Sequence, residues 1–369
     1  MEEKLITIVT LPYSKAQFLK LRFDAENIAC DLVSFSLIEG AGSSTIQVRI
    51  LEKDIERAIP ILEEMLGVRP YLEEVQIEKT EPHILVPVDF SLHSEKACKM
   101  AVSIARKLNS KIVLMHCYIN PVIHSIPFSD IYAYDSSLLS NLEYSEENAN
   151  AGFQKFVAKV SAEIGLENWK SVMPEYIIKS GYPENDILAF AQKNQSQLIV
   201  MGSGGKDALY GTLGSIAADI MYNASVPVLI VPEDTPEKTL IDFLNVLYAT
   251  NFDEKDFASI EMLLNIIKPF GAKLKCVHVG RDKSSDWDVA RLEGMKDVLH
   301  EKYKEVEFEC CLISGDEVLQ SLENYINSEK IDILSLTTHK RNMITRLFNP
   351  SLARRMVFHT HTPLLVFHG

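Results

Sequence analysis

The chain has 369 residues, of which 47% are hydrophobic, and a formal net charge of −14 at pH 7. This length and composition predict a soluble protein of two or three globular domains, and the acidic charge argues against general binding to nucleic acids or anionic membranes. No apolar run approaches the roughly 18 residues of a transmembrane helix, the acidic start Met1-Glu2-Glu3 is atypical of a signal peptide, and the six cysteines show no C-x-x-C spacing. We therefore expect a cytoplasmic protein with reduced thiols and no membrane partner.

Residues 1–80 predict a small α+β domain of their own. Its elements are strand Leu5–Leu11, helix Ser14–Asn27, strand Cys30–Ile38, strand Ile46–Ile50, helix Asp54–Leu66 and strand Val75–Ile77. This β-α-β-β-α-β order predicts a ferredoxin-like sandwich. This order loosely resembles that of small signal-transducing domains, which share the strand-Glu-x-Asp-helix segment seen at Ile50–Ile55. The sequence shows no catalytic cluster in this domain, and this favours a docking or oligomerisation module.

A polar linker that ends at Pro82 precedes a long stretch in which apolar strands alternate with helices. The predicted elements are strands Ile84–Val88, Lys111–Tyr118, Pro174–Lys179, Leu198–Met201 and Val226–Val231, and helices Glu95–Leu108, Asn141–Ile164, Glu184–Lys193 and Ile216–Asn223. Continuous Val, Ile and Leu runs between helices predict a parallel sheet covered on both faces. The irregular segment Ile119–Ser140 is expected to fold over the sheet as a lid.

The same order of elements then repeats. Asn245–Asp253 corresponds to the strand that ends at Asp89, Lys273–Val279 to the strand that contains His116, and Thr362–Phe367 to Val226–Val231. The second copy lacks most of the Ile119–Ser140 insertion. A repeat of this length indicates a duplicated domain, with boundaries at 82–234 and 235–369.

The richest motif is a strand that breaks into glycines. Leu198–Met201 runs into Gly202-Ser203-Gly204-Gly205, and after eight further residues Gly214-Ser215 begins a helical pattern. Glycines let backbone N–H groups approach a ligand, and a helix start adds unpaired donors and a partial positive charge. The motif therefore predicts a phosphate site, although a strand-to-helix turn that is merely rich in glycine would have the same composition.

Two other phosphate-binding loops fit less well. A Walker A loop needs Ser or Thr after its Gly-Lys pair, but Asp207 follows Lys206. The S-G-G-x-D-S loop of adenylating pyrophosphatases follows the first strand of its domain, and here Ala208 replaces its last Ser.

Taken together, these features resemble the universal stress protein family. The resemblance rests on Val86-Pro87-Val88-Asp89-Phe90-Ser91, the Leu-x-His strand, the G-x-x-G loop and the closing Val226–Val231 strand; the glycine loop is one residue shorter than the family signature. It implies, for each copy, an α/β fold with a five-stranded parallel Rossmann-like sheet in the order 3-2-1-4-5. The ligand, ATP accompanied by Mg²⁺, would lie at the carboxyl ends of the central strands.

The resemblance also implies the residues of the nucleotide site. The end of the first strand and the residue after the strand-2 histidine would contact adenine and ribose, and the glycine loop would surround ribose and phosphates. The implied residues are Pro87, Val88, Asp89, Cys117, Met201, Gly202, Gly204, Gly205, Gly214, Ser215 and Ile216. From the residues alone, Asp89 also fits a helix cap or a solvated carboxylate, Cys117 fits a small core side chain, and His116 and His278 are predicted to be core histidines, not metal ligands.

The second copy departs from this pattern. Asn251 replaces the Asp, Thr337 and Lys340 replace the two loop glycines, and Pro350-Ser351 replaces Gly-Ser. Side chains would occupy the space of the phosphates, and a proline donates no N–H. We therefore expect one nucleotide per chain, bound by the first copy.

Three functions follow as alternatives. The first is a non-enzymatic, ATP-binding stress-response module, and the second is a nucleotide-free scaffold that has lost ATP. The third, an enzyme, is disfavoured beyond weak ATP hydrolysis, because no motif places a general base. The apolar last strand of each copy predicts that the two copies pair within one chain as a pseudo-dimer; assembly into a homo-oligomer is left open.

Overall fold

A computed structural model of the chain describes residues 5–26, 28–35, 45–54, 57–58, 60–62, 81–118, 136–205, 213–280, 286–304, 306–315, 317–338 and 362–368. They belong to two compact units, Met1–Glu78 and Lys79–Gly369. The boundary between the units falls in the polar segment that the sequence predicts to be a linker.

The first unit contains a three-stranded antiparallel sheet. Its described elements are β1 (Leu5–Pro12), α1 (Tyr13–Ala25), β2 (Cys30–Phe35) and β3 (Thr45–Leu51). The strand order is β1-β3-β2, so β3 lies between the two strands that α1 connects. Leu19 and Phe23 of α1 are fully buried with Val48 and Ile50 of β3, which places the core between helix and sheet. The predicted strand Val75–Ile77 lies outside the described residues, and the ferredoxin-like assignment stays a prediction.

The second unit alternates strands and helices along its whole length. The strands are β4 (His83–Pro87), β5 (Lys111–Tyr118), β6 (Glu175–Ser180), β7 (Leu198–Gly202), β8 (Val228–Val231), β9 (Asn245–Ala249), β10 (Lys273–Gly280), β11 (Phe308–Ser314), β12 (Ile333–Thr338) and β13 (Leu364–His368). The helices are α2 (Leu92–Leu108), α3 (Ser136–Ile164), α4 (Leu166–Ser171), α5 (Pro183–Lys193), α6 (Ser215–Asn223), α7 (Glu237–Ile241), α8 (Glu254–Ile267), α9 (Asp286–Lys302) and α10 (Val318–Glu329). Most of the predicted lid lies outside the described residues, apart from the start of α3.

These strands form one ten-stranded sheet in the described residues. Its order is β11-β10-β9-β12-β13-β8-β7-β4-β5-β6. The five strands on either side of the β13–β8 junction are parallel to one another, and each set of five has the order 3-2-1-4-5. Only β13 and β8 pair antiparallel, with Leu365 opposite Leu229. An α/β fold with a parallel-sheet core is therefore confirmed.

The sheet separates two apolar cores that each run through both sets of strands. Leu229 and Leu365 are almost fully buried in the core on one face, whereas their neighbours Ile230 and Leu364 are buried in the core on the other. This follows from the alternation of side chains along a strand. The strands on both sides of the β13–β8 junction thus bury their apolar side chains together.

A buried polar network reinforces the second set of strands. Asp256, at the start of α8, is 1% exposed and accepts hydrogen bonds from the Tyr248 hydroxyl at 2.8 Å and the Thr250 hydroxyl at 2.6 Å. The backbone N–H groups of Asn251 and Asp253 donate to the same carboxylate at 3.2 Å. Burial, together with the negative charge of Asp256, raises the pKa of Tyr248, so the phenol stays a neutral donor.

We predict that Asp256→Ala destabilises the protein by on the order of 3 kcal/mol, because buried hydroxyl and N–H donors would lose a charged acceptor. The free energy of unfolding in urea measures the loss. Asp253→Ala is the matched control, since Asp253 caps the same helix from a more exposed position and should cost only about 1 kcal/mol. Equal losses in the two variants would contradict this role of the network.

We also predict that prolines at both Leu229 and Leu365 expose the segment between the two sets of strands. Each proline removes an N–H donor from a strand that is paired on both sides, so a hydrogen bond of the ladder is lost at each position. Limited proteolysis should then cut within residues 233–245 and release two fragments. The control carries alanine at both positions, which shortens the side chains but keeps both N–H groups. Equal cleavage rates in the two double variants would show that the ladder does not hold the two sets together.

Candidate functional site

A cavity of about 510 Å³ opens at the carboxyl ends of β4, β5 and β7. Between β4 and β7 the strand order reverses, which is where doubly wound sheets form a crevice for ligands. Every residue that the sequence analysis assigned to a nucleotide site lines this cavity. Residues far apart along the chain, from Pro87 to Ile216, therefore meet at one place.

Five further residues line the cavity that the sequence analysis did not assign: Ser94, Met115, Pro183, Ile187 and Ala217. Met115 could have been found, because it lies two residues before Cys117 on β5 and so points to the same face of the sheet. Pro183 and Ile187 belong to α5, and no local pattern indicated that this helix reaches the cavity.

Asp89 is held in place at the end of the first strand. Its Oδ1 accepts hydrogen bonds from the Ser94 hydroxyl at 2.6 Å and the Ser91 backbone N–H at 3.1 Å, while its own N–H donates to the Ser94 hydroxyl. Ser91, and not Asp89, is the N-cap of α2. The carboxylate is therefore positioned toward the cavity instead of capping the helix.

Neighbouring atoms lie close to the backbone at two of the loop glycines. A Cβ on Gly202 would lie 2.5 Å from the Cβ of His93, and one on Gly205 would lie 2.8 Å from Oδ2 of Asp89. Neither residue has a φ in the left-handed region. Lack of space, and not backbone conformation, is thus the reason for glycine at Gly202, where the neighbour is the start of α2, whereas at Gly205 a side chain would have to displace the carboxylate tip of Asp89.

The start of α6 closes the cavity beside the loop. Gly214 is the N-cap of this nine-residue helix and provides no capping side chain. Its N–H donates to the Ser203 carbonyl at 2.9 Å, which fixes the helix start against the glycine loop. Ser215, Ile216 and Ala217 of the first turn line the cavity, so the partial positive charge of the helix N-terminus lies there.

The opposite wall is apolar. Val88, Met115, Ile187 and Met201 contribute to it, and all four are buried. Burial, with a smaller contribution from the negative charge of Asp186, raises the pKa of Cys117 to about 12, so its thiol is neutral. The cavity thus combines an apolar wall, a carboxylate and a helix N-terminus, which suits a ligand with an apolar ring, hydroxyls and an anionic group.

The two strand histidines do not belong to the cavity. Nδ1 of His116 donates to the Val88 carbonyl at 2.7 Å, and Nδ1 of His278 donates to the Thr250 carbonyl at 2.9 Å. Each ring also packs against a phenylalanine, Phe90 or Phe252. Each imidazole is satisfied within the fold; His278 is buried, and His116 is partly buried. Within the described ranges, no cluster of three or more His, Cys, Asp and Glu residues could hold a metal ion.

The second set of strands has a different chemistry at the corresponding place. Thr337 stands where β7 has Gly202, and its fully buried hydroxyl lies 2.7 Å from that of Tyr248 and donates to Ser259 at 2.6 Å. Asp256 stands where α2 has Ser94, with its carboxylate inside the fold. The other predicted replacements, Lys340 and Pro350-Ser351, lie outside the described residues.

The described helices include none that is long and apolar enough to span a membrane.

Comparisons with known proteins agree on one family. The sequence profile of the universal stress protein family matches residues 82–232. A universal stress protein of Methanocaldococcus jannaschii is 32% identical over 155 residues, which are 42% of this chain and 84% of that protein. A universal stress protein of Mycolicibacterium smegmatis is 34% identical over 160 residues, 42% of this chain and 49% of that protein.

A solved structure extends the likeness in fold. The universal stress protein from Archaeoglobus fulgidus superposes with a TM-score of 0.56 at 17% identity, covering 78% of this chain and 98% of that one. At this identity the likeness shows the fold alone, an α/β architecture with a parallel-sheet core. The sequence matches show that this chain belongs to the universal stress protein family.

Proposed function

We propose that the protein is an ATP-binding universal stress protein that acts as a non-enzymatic signalling module, with nucleotide bound only in the first copy, residues 82–234. The observation that supports this best is the cavity at the β4–β7 crevice, which unites Asp89, the glycine loop and the start of α6. Nucleotide occupancy would then be the signal that partner proteins read.

The lining residues fit ATP by their chemistry. Val88, Cys117 and Met201 would pack against adenine, and Asp89 would accept hydrogen bonds from ribose hydroxyls. The phosphates would lie against the backbone N–H groups of Gly204, Gly205 and the first turn of α6, with Mg²⁺ as their counterion. A Cβ at Gly205 would enter this space, because it would lie 2.8 Å from Asp89.

The second copy, residues 235–369, would serve as a structural partner. Its buried Thr337 and inward-facing Asp256 replace the glycine and the Ser94 hydroxyl that shape the first site. The antiparallel β8–β13 pairing supports a tandem arrangement in which the two copies form an intramolecular pseudo-dimer. Residues 1–80 would add a docking or output domain.

A nucleotide-free scaffold is the second candidate. The glycine loop is one residue shorter than the family signature. A shorter loop would not reach around a phosphate group, and this favours the scaffold. The fold would be the same in both cases, so the two candidates differ in ligand occupancy.

We predict a calorimetric stoichiometry near one ATP per chain. The described part of the first copy brings the carboxylate and the glycine loop together at one cavity, whereas in the second copy the buried Thr337 stands in place of Gly202. Titration with ATP, ADP and AMP against the full-length protein measures the stoichiometry, and CTP controls for base preference. A value near two would contradict loss of the second site, and absence of binding by all three adenine nucleotides would favour the scaffold.

We further predict that Gly205→Val weakens ATP binding at least about a hundredfold. The valine side chain would clash with Asp89 and fill the space in front of the loop N–H groups. Gly294→Val on α9 is the matched control, because the Cβ position of Gly294 has open space around it, and it should bind ATP like the parent protein. If Gly205→Val is folded by circular dichroism and keeps the parent affinity, the loop does not hold the phosphates.

A further inference from the structure

Two cysteines face each other across neighbouring strands at one edge of the sheet. Cys276 of β10 and Cys310 of β11 are register partners, and both side chains belong to the same apolar core. Neighbouring strands lie about 4.8 Å apart, which is within the Cα separation of about 4.4–6.8 Å that disulfides span. The spacing of paired strands therefore falls within the Cα range of a disulfide, and the two side chains lie on the same face of the sheet.

The two thiols differ in access. Cys276 is fully buried, whereas Cys310 is partly exposed and lies on β11, the last described strand on its side of the sheet. An oxidant from solvent would reach Cys310 first, with Cys276 directly behind it.

The surroundings of the two thiols also shift their pKa values in opposite directions. Interaction with the neighbouring Cys276 thiol, together with the positive charge of Lys296 on α9, lowers the pKa of Cys310 despite burial. Interaction with Cys310 and full burial raise the pKa of Cys276. Cys310 thus has the character of an attacking thiolate, and Cys276 that of a resolving thiol.

The adjacent Cys311 provides a contrast within the same strand. It belongs to the opposite face of the sheet, where its sulfur lies 3.1 Å from the Tyr325 hydroxyl. Burial raises the pKa of Cys311. Proximity in sequence therefore does not give it the properties of Cys310.

We propose that Cys276 and Cys310 form a peroxide-reactive dithiol site that closes to a reversible disulfide between β10 and β11. The Cys310 thiolate attacks the O–O bond of a hydroperoxide and becomes a sulfenic acid; the released alkoxide takes up the proton that Cys310 gave to solvent and leaves as an alcohol, or as water when the oxidant is hydrogen peroxide. The Cys276 sulfur then displaces hydroxide from Cys310, and the thiol proton leaves with that hydroxide as water. The dithiol loses two electrons and the peroxide gains them.

The test is mass spectrometry of the reduced full-length protein after treatment with stoichiometric hydrogen peroxide. Peptide mapping without reductant should show a Cys276–Cys310 cross-link that has lost two hydrogen atoms and that dithiothreitol reverses. In Cys276→Ser the Cys310 sulfenic acid should accumulate and react with dimedone. Cys311→Ser is the matched control and should form the cross-link as the parent does.

Three outcomes would overturn the proposal. The first is that Cys276 and Cys310 both remain thiols while other cysteines oxidise. The second is that Cys310 pairs with Cys311 instead of Cys276. The third is that Cys276 is oxidised only together with the fully buried Cys98, which would mean that unfolding, and not a built site, exposed the thiols.

Discussion

The short antiparallel pairing of β8 with β13 is the contact on which the architecture of the second unit depends. It joins two five-stranded parallel sheets through three pairs of residues, with Leu229 opposite Leu365 at the centre. Because side chains alternate along these strands, the pairing also merges the apolar cores on both faces. Each sheet would otherwise end in an apolar strand with unpaired N–H and C=O groups, which is an unfavourable edge in water.

The cavity depends on a second constraint, the close approach of chain segments at the strand ends. Gly202 has no room for a side chain because His93 of α2 lies against it, and Gly205 has little because Asp89 lies beside it. The Gly214 N–H then ties the start of α6 to the same loop. These contacts bring a carboxylate and a helix N-terminus together, and the proposed nucleotide site uses that combination.

The two sets of strands place their carboxylates differently. In the first, Asp89 lies at a strand end and Ser91 and Ser94 hold it toward the cavity. In the second, Asn251 takes the strand-end position and Asp256 of α8 carries the charge, bonded inside the fold to Tyr248 and Thr250. A buried carboxylate with several donors stabilises its surroundings but presents no charge to a ligand. The same strand order therefore accompanies a cavity in the first set of strands and a buried polar network in the second.

The sequence by itself determined the alternation of strands and helices, which local patterning carries, and its resemblance to a known family pointed to eleven of the residues that line the cavity. The tertiary structure decided three other features. It requires glycine at Gly202, it brings Pro183 and Ile187 to the cavity wall, and it turns Asp256 toward the interior. It also sets the register that places Cys276 opposite Cys310. Each of these depends on two segments far apart in the chain meeting at a particular distance. The periodicity of a sequence describes one segment at a time, so it carries no information about the distance between two segments. The packing of helices and strands sets that distance.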